Sequence, residues 1–174
     1  MKKILLIITL ITGLISVSSK ITGPRYRLEG SVGGGYSTAK NDSDDHNLTH
    51  LDLAGSFLSE YKFNINDKRD ITFGPKITAK MGFLMGGARS ITPSINLGAE
   101  LNLNNRVKEN VKVYLGLEAG IGFGLSVIGK VNPKSFLSGI AKLSVGFKIN
   151  DKYNIGVYGG YGKGFAGIEA GYTF

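Results

Sequence analysis

Apolar and polar residues alternate along most of this chain, with the period of two that is typical of β-strands and not of helices. The last ten residues show it clearly: every second residue from Ala166 to Phe174 is apolar, and Gly, Glu or Thr stands between them. Seven earlier segments have the same design, at about 25–37, 50–64, 70–84, 92–104, 111–124, 136–149 and 153–162. The pattern therefore predicts eight strands, with a bulge in the third at Pro75 because proline cannot donate to a ladder.

The connections between these strands alternate in character. Three are short and polar, at 64–70, 104–110 and 150–152. The others are 39–49, 85–91, 125–135 and Lys163, and two of these, 39–49 and 125–135, are the longest in the chain. Short turns at one end and longer loops at the other are typical of bacterial membrane barrels. The fold class predicted is all-β: an eight-stranded antiparallel up-and-down transmembrane β-barrel, with both termini on the side of the short turns and 39–49 as its first extracellular loop.

The polar face of the strands carries charges of both signs at mid-strand. An eight-stranded barrel is so narrow that side chains fill its interior. We therefore expect these charges to form an ion-pair network in the lumen, which comprises Glu29, Glu60, Lys62, Lys76, Lys80, Glu100, Lys112, Glu118, Lys142 and Glu169.

Aromatic residues on the apolar face cluster towards strand ends, and Leu, Ile, Val, Ala and Gly lie between them. Two aromatic girdles around an apolar band are typical of a barrel that faces lipid. The predicted girdles consist of Tyr26, Tyr36, Tyr61, Phe63, Phe73, Phe83, Phe123, Phe147, Tyr153 and Tyr161. A secreted lipocalin-like carrier, with the apolar face inside, stays open as an alternative.

The first residues of the chain predict that the protein is exported. Residues 1–19 combine Lys2 and Lys3 with a short apolar run and small residues, which predicts a signal peptide followed by a barrel domain over 20–174. The chain has 26 glycines, 4 prolines and no cysteine, so it has no disulfide framework. The expected location is the outer membrane of a Gram-negative bacterium.

The strand pattern and the ending Gly171-Tyr172-Thr173-Phe174 resemble the small outer-membrane barrels of the OmpA/OmpX type. The resemblance covers nearly all of the expected mature chain and is architectural. It implies that the barrel-assembly machinery recognises Tyr172 and Phe174. It also implies a monomer whose loops serve a structural or surface-interaction role, adhesion or binding. No peptidoglycan-binding periplasmic domain of the OmpA kind is expected.

Candidate chemistry is sparse. Acidic residues surround the only two histidines, but their spacing matches no metal motif, so a solvated loop and no metal site are predicted; the segment comprises Asp42, Asp44, Asp45, His46, His50 and Asp52. His50 lacks the serine spacing of the barrel enzymes that modify lipid A. No cofactor, catalytic group or nucleic-acid surface is expected, and a lipid-modifying enzyme and a narrow passive pore stay open as alternatives.

Basic residues stand at the connections expected to be extracellular. Lipopolysaccharide phosphates lie at that height, and a basic side chain near an anionic surface contributes ~1 kcal/mol. We expect contact with outer-membrane lipid and lipopolysaccharide through Lys40, Arg89, Lys130, Lys134 and Lys163.

Overall fold

A computed structural model describes residues 21–41, 44–85, 90–128 and 132–174 of the chain. The expected signal peptide over 1–19 lies outside these residues. Eight strands follow one another: β1 (Ile21–Asn41), β2 (Asp44–Asn64), β3 (Arg69–Met85), β4 (Ser90–Lys108), β5 (Val111–Ile128), β6 (Lys134–Ile149), β7 (Tyr153–Tyr161) and β8 (Ala166–Thr173). In this part of the chain, no helix is long and apolar enough to cross a membrane.

The sheet closes on itself. Each strand pairs antiparallel with the next, and β8 returns to β1, where Tyr172 lies opposite Leu28 and Ala166 opposite Gly34. Closure leaves the sheet without a free edge along the paired length, which lipid requires because it cannot hydrogen-bond to backbone groups. The prediction that the last strand pairs with the first is confirmed.

The strands tilt strongly against the barrel axis. Following paired residues once around the barrel leads from Tyr61 through Phe73, Leu101, Leu117, Leu143, Gly159, Ala166 and Gly34 to Leu51. The path returns to β2 ten residues further along, between Tyr61 and Leu51. With ordinary strand spacings this stagger gives a tilt of roughly 40°. We call the end that holds Ile21 and Phe174 the terminal end, and the opposite end the loop end.

Burial is inverted relative to a soluble protein. The lumen holds charged side chains, and Glu60 is 0% exposed, whereas Ile121 and Phe123 on the outer face are 73% and 75% exposed. A charged interior inside an apolar wall suits lipid and not water. The chain is thus an eight-stranded antiparallel up-and-down transmembrane β-barrel, as predicted, and a lipocalin-like interior is excluded.

Two local predictions were wrong. Residues 39–49 do not form a long loop: the β1–β2 ladder continues through Ala39 opposite His46 to Asn41 opposite Asp44. The ladder is made by backbone groups, so it extends into a segment whose polar side chains gave no alternating signal. Pro75 stays opposite Ala99, and the β2–β3 pairing skips Gly74 and Pro75 without changing register, so no bulge forms there. Register shifts lie instead between Thr22 and Arg25, around Pro24, and between Arg106 and Lys108.

Candidate functional site: the barrel lumen

Three carboxylates from three strands meet at the centre of the lumen. Glu29 of β1, Glu100 of β4 and Glu118 of β5 lie close enough to hold a metal ion, but Lys76 occupies the place between them. The Lys76 Nζ lies 2.6 Å from Glu29, 2.5 Å from Glu100 and 3.0 Å from Glu118. Because the ammonium group already contacts all three carboxylates, these residues do not fit a metal ion. They form an ion-pair centre.

Further cations close the lumen towards the loop end. Lys142 of β6 contacts Glu118 at 2.9 Å and pairs with Glu169 of β8, whose carboxylate also accepts a hydrogen bond from the Tyr114 hydroxyl at 3.0 Å. Lys163 lies 3.0 Å from Glu118. All of these side chains are buried. Each buried charge is matched by a partner on another strand, so the network holds strands together around the barrel.

The same network continues towards the terminal end. Glu60, fully buried, accepts from Lys148 at 3.0 Å and pairs with Arg25 and Arg27. Arg27 also pairs with Glu100 and so connects this layer to the Lys76 centre. We call the continuous set of paired charges from Glu60 to Lys163 the plug.

A smaller cluster lies at the terminal end, where the β6–β7 turn folds over the lumen. Asp151 in this turn contacts Lys62 at 2.9 Å and Lys112 at 2.6 Å, and Lys112 also contacts Asp70 at 2.6 Å. Partial burial disfavours the charged form of Asp151, but hydrogen bonds from Lys112 and Lys62 outweigh that effect. The pKa of the Asp151 carboxyl therefore lies well below its usual range.

All ten charges expected in the lumen lie there. Seven belong to the plug, Lys62 and Lys112 belong to the terminal cluster, and Lys80 faces Asp52 nearer the loop end. Sequence reasoning left out partners that complete these clusters: Arg25, Arg27, Asp52, Asp70, Lys148, Asp151 and Lys163. Alternation on the same faces could have found Arg27, Asp70 and Lys148. It could not place Asp151 or Lys163, which lie in connections.

The expectation for Lys163 was wrong. It was assigned to an extracellular connection facing lipopolysaccharide, but its side chain is buried in the lumen. Gly162 and Gly164, with φ of 95° and 92°, turn the β7–β8 connection inwards, and the Tyr158 hydroxyl donates to the Lys163 carbonyl at 2.7 Å. Of the other expected lipopolysaccharide contacts, Lys134 is exposed, whereas the side chains of Lys40, Arg89 and Lys130 lie outside the described residues.

Above the plug, the lumen widens into a cavity of about 520 Å³, which we call the vestibule. Asp52 faces it, with Lys80 at 3.6 Å and His50 at 3.7 Å. Its walls also carry the hydroxyls of Ser90, Thr92, Ser126 and Ser138 and the ring of Phe136. Three residues whose rings lie on the outer face complete its edge: Phe83, Tyr161 and Phe165. The other side chains of the suggested histidine-bearing acidic loop, Asp42, Asp44, Asp45 and His46, lie outside the described residues.

Aromatic side chains cover the outer face where β8 meets β1. Tyr26 stacks on Phe57 at 5.7 Å and contacts Phe174, which contacts Tyr172. Tyr153 contacts Tyr172 in turn. Phe57 thus belongs to this aromatic cluster at the terminal end. The two residues suggested as an assembly signal lie inside this cluster, which covers the closing seam of the barrel.

The other girdle residues lie on the outer face as well. Tyr61 and Phe73 stack at 6.0 Å across β2 and β3. Tyr36 has its side chain outside the described residues. The remaining side chains are exposed or half-buried on the outer face: Phe63, Phe83, Phe123, Phe147 and Tyr161.

Comparison with known proteins gives structural likeness alone. No protein-family model and no curated protein sequence matches the chain. The crystal structure of Ail, the attachment invasion locus protein of Yersinia pestis, is 15% identical over 88% of this chain and 100% of that chain, with a TM-score of 0.44. Ail in complex with the heparin analogue sucrose octasulfate is 16% identical over 86% and 97%, also at 0.44. The translocator domain of the autotransporter NalP from Neisseria meningitidis is 12% identical over 95% of each chain, at 0.28.

Proposed function

We propose that this protein is an integral outer-membrane barrel that acts through its loop end, in a structural or surface-interaction role. The observation that carries this proposal is the combination of an apolar outer wall with a lumen closed by paired charges. The wall commits the barrel to a membrane. The plug leaves the loop end as the part that can meet ligands or partners.

The plug argues against the alternative of a passive pore. Lys76, Lys142 and Lys163 reach across the lumen and contact the same carboxylate, Glu118. An ion crossing here would have to break several buried pairs, and removing one partner of a buried pair costs ~3–5 kcal/mol. We therefore expect planar bilayers containing the protein to show no steady conductance.

A role outside catalysis is part of the same proposal. His50, the histidine expected in an enzyme alternative, faces Asp52 at 3.7 Å, longer than a hydrogen bond. Lipid A modification that depends on His50 would contradict this part of the proposal. No cofactor is invoked.

Export and assembly complete the proposal. Residues 1–19 are proposed to direct export, and Tyr172 and Phe174 to be read by the barrel-assembly machinery before they join the seam. Outer-membrane lipid and lipopolysaccharide are the proposed surroundings, with Lys134 as one exposed basic contact, and the barrel is proposed to work as a monomer.

The deciding experiment is heat-modifiability of protein extracted from membrane fractions. We expect the protein in the outer-membrane fraction, with a different SDS-gel mobility before and after boiling, because a closed barrel stays folded in cold detergent. A soluble periplasmic protein without a mobility shift would overturn the proposal. A shifted band in a different membrane would overturn the location alone.

A further inference from the structure

The barrel wall is lower at β7 and β8 than elsewhere. β7 ends at Tyr161, paired with Ala141, and β8 begins at Ala166, paired with Gly34. On either side the wall continues, because β6 runs on to Lys134 and β1 to Asn41. Within the described chain, no strand fills the space between 134–140 and 35–41. The gap spans three inter-strand distances, from β6 to β1, and is therefore roughly 14 Å wide. We call it the notch.

The notch lies where the apolar band of the wall ends. Tyr161 and Phe165, at the tip of the β7–β8 hairpin, are 71% and 77% exposed on the outer face. Phe123 and Leu137 on the neighbouring wall complete this aromatic and apolar rim. Aromatic residues of membrane barrels sit at the interface with water. The notch therefore opens sideways at the height of lipid headgroups.

The vestibule lies directly behind the notch. Its lining includes Gly160 and Gly162 from the hairpin tip and Phe136 and Ser138 from the free part of β6. The inward-folded hairpin forms its floor, and Lys163 points down from that floor to Glu118. As far as the described residues go, the cavity can thus be reached from the membrane side.

The vestibule is nearly charge-neutral and combines polar groups with apolar surface, the latter from residues such as Leu84 and Phe136. Lys80 and Asp52 offset one another, and Lys163 is turned away, so no cation is left uncompensated for an anion among the described lining residues. An acyl chain does not suit it either, since it would take the charged groups of Asp52 and Lys80 out of water, which costs free energy. Four hydroxyls line the cavity. Ser90 and Ser126 share a long contact of 3.4 Å, Thr92 donates to the Gly82 carbonyl at 3.3 Å and can still accept, and Ser138 can donate and accept.

We propose that the vestibule binds an uncharged saccharide, either free sugar or the sugar headgroup of an outer-leaflet glycolipid that reaches it through the notch. A sugar presents hydroxyls that match the serine and threonine groups, and C–H faces that pack on the ring of Phe136. The volume of about 520 Å³ falls within the range of small-molecule sites. This inference rests on the proposed function, in which the loop end of the barrel faces the outside of the cell.

The test uses the full barrel in phospholipid nanodiscs free of sugar detergents, followed by amide NMR. The probes are maltose, dodecyl maltoside added to the lipid, and inorganic phosphate. We expect saturable chemical-shift changes at the amides of Gly139, Gly160 and Gly162 with a sugar probe. The dissociation constant should lie in the millimolar range, which corresponds to a binding free energy of about 4 kcal/mol. Gly146 and Gly156, lower in the wall, should not move.

The two sugar probes separate the two sources. Shifts with maltose support free sugar, and shifts with dodecyl maltoside alone support a glycolipid headgroup reaching the vestibule through the notch. Shifts with phosphate and neither sugar, or no saturable shift at all, would overturn the inference. Since heat-modifiability reports barrel closure separately, a folded outer-membrane barrel without sugar binding overturns this inference and leaves the proposed function standing.

A matched pair of variants locates the site. Ser138→Leu, which points into the vestibule, should weaken binding about tenfold or more by filling the cavity. Ser135→Leu, on the exposed face of the same strand, should leave it unchanged. If Ser138→Leu fails to fold, Thr92→Val removes one hydroxyl at nearly constant volume and should weaken binding about fivefold. Equal binding by the folded vestibule variant and the control would contradict the assignment.

Discussion

The plug and the vestibule are built by the same strands, yet they treat charge in opposite ways. In the plug, Lys76 contacts three carboxylates at 2.5–3.0 Å, and every partner is buried. In the vestibule, Asp52 has Lys80 and His50 no closer than 3.6 Å and faces open volume. One half of the lumen satisfies its own charges, and the other half leaves hydrogen-bonding capacity for a ligand.

Side-chain size explains the difference. On β4, Glu100 and Asn102 fill the plug, whereas Ser90 and Thr92 line the vestibule. Two further strands show the same decrease towards the loop end: β5 goes from Glu118 to Ser126, and β6 from Lys142 to Ser138. A barrel of constant strand number has a nearly constant bore, so shorter side chains leave space.

The largest expected effect comes from removing the cation at the centre of the plug. Lys76→Met would leave Glu29, Glu100 and Glu118 facing one another without their shared ammonium group. We expect a loss of ~3–5 kcal/mol in the free energy of unfolding, because stranded buried charges are costly. Urea unfolding in lipid vesicles, read by gel mobility, measures it.

The matched control lies four residues further along the same strand. Lys80→Met also removes a lumen-facing ammonium group, but Asp52 can then be solvated by vestibule water. We expect a loss of about 1 kcal/mol or less. Equal losses at Lys76 and Lys80 would show that the two compartments do not differ in solvation.

Access of a water-soluble reagent should separate the compartments directly. The chain has no cysteine, so a single introduced thiol reports its own position. Ser138 lines the vestibule, whereas Ser144 lies on the same face of β6 among plug residues. We expect a charged thiol reagent to label Ser138→Cys about a hundredfold faster than Ser144→Cys, because the latter needs local opening. Similar rates in folded protein would mean that the plug is porous.

Sequence alternation predicted the faces of the strands and hence which charges enter the lumen. It could not predict the two compartments, because the inward fold at Lys163 depends on Gly162 and Gly164 in a connection without periodicity. Alternation also could not predict the length of the β1–β2 ladder, since that ladder continues through polar residues such as Asn41 and Asp44. Period-two patterns report which side faces lipid, whereas ladder length and turn direction are set by backbone pairing and by left-handed turn positions.

The smallest effect concerns the terminal cluster, which should behave as a weaker form of the plug. Asn150 and Asp151 both have φ of 55°, and the Lys152 amide donates to the Ile149 carbonyl at 3.0 Å, which closes a β-turn with these two residues at its centre. Asparagine suits that conformation as well as aspartate does, so Asp151→Asn removes the charge and keeps the turn. We expect a loss of about 1 kcal/mol at neutral pH, since a partly exposed ion pair is worth little more.

The pH dependence of that loss has a definite sign. Because Lys112 and Lys62 hold the pKa of Asp151 below its unfolded value, its stabilisation is complete above about pH 3.8 and declines as the pH falls towards the folded pKa. The difference between wild type and Asp151→Asn should therefore shrink below pH 3.8. Asp67→Asn, in an exposed turn at the same end, is the control and should leave the stability at neutral pH unchanged. A difference that stays constant on acidification would assign the loss to the turn and not to the charge.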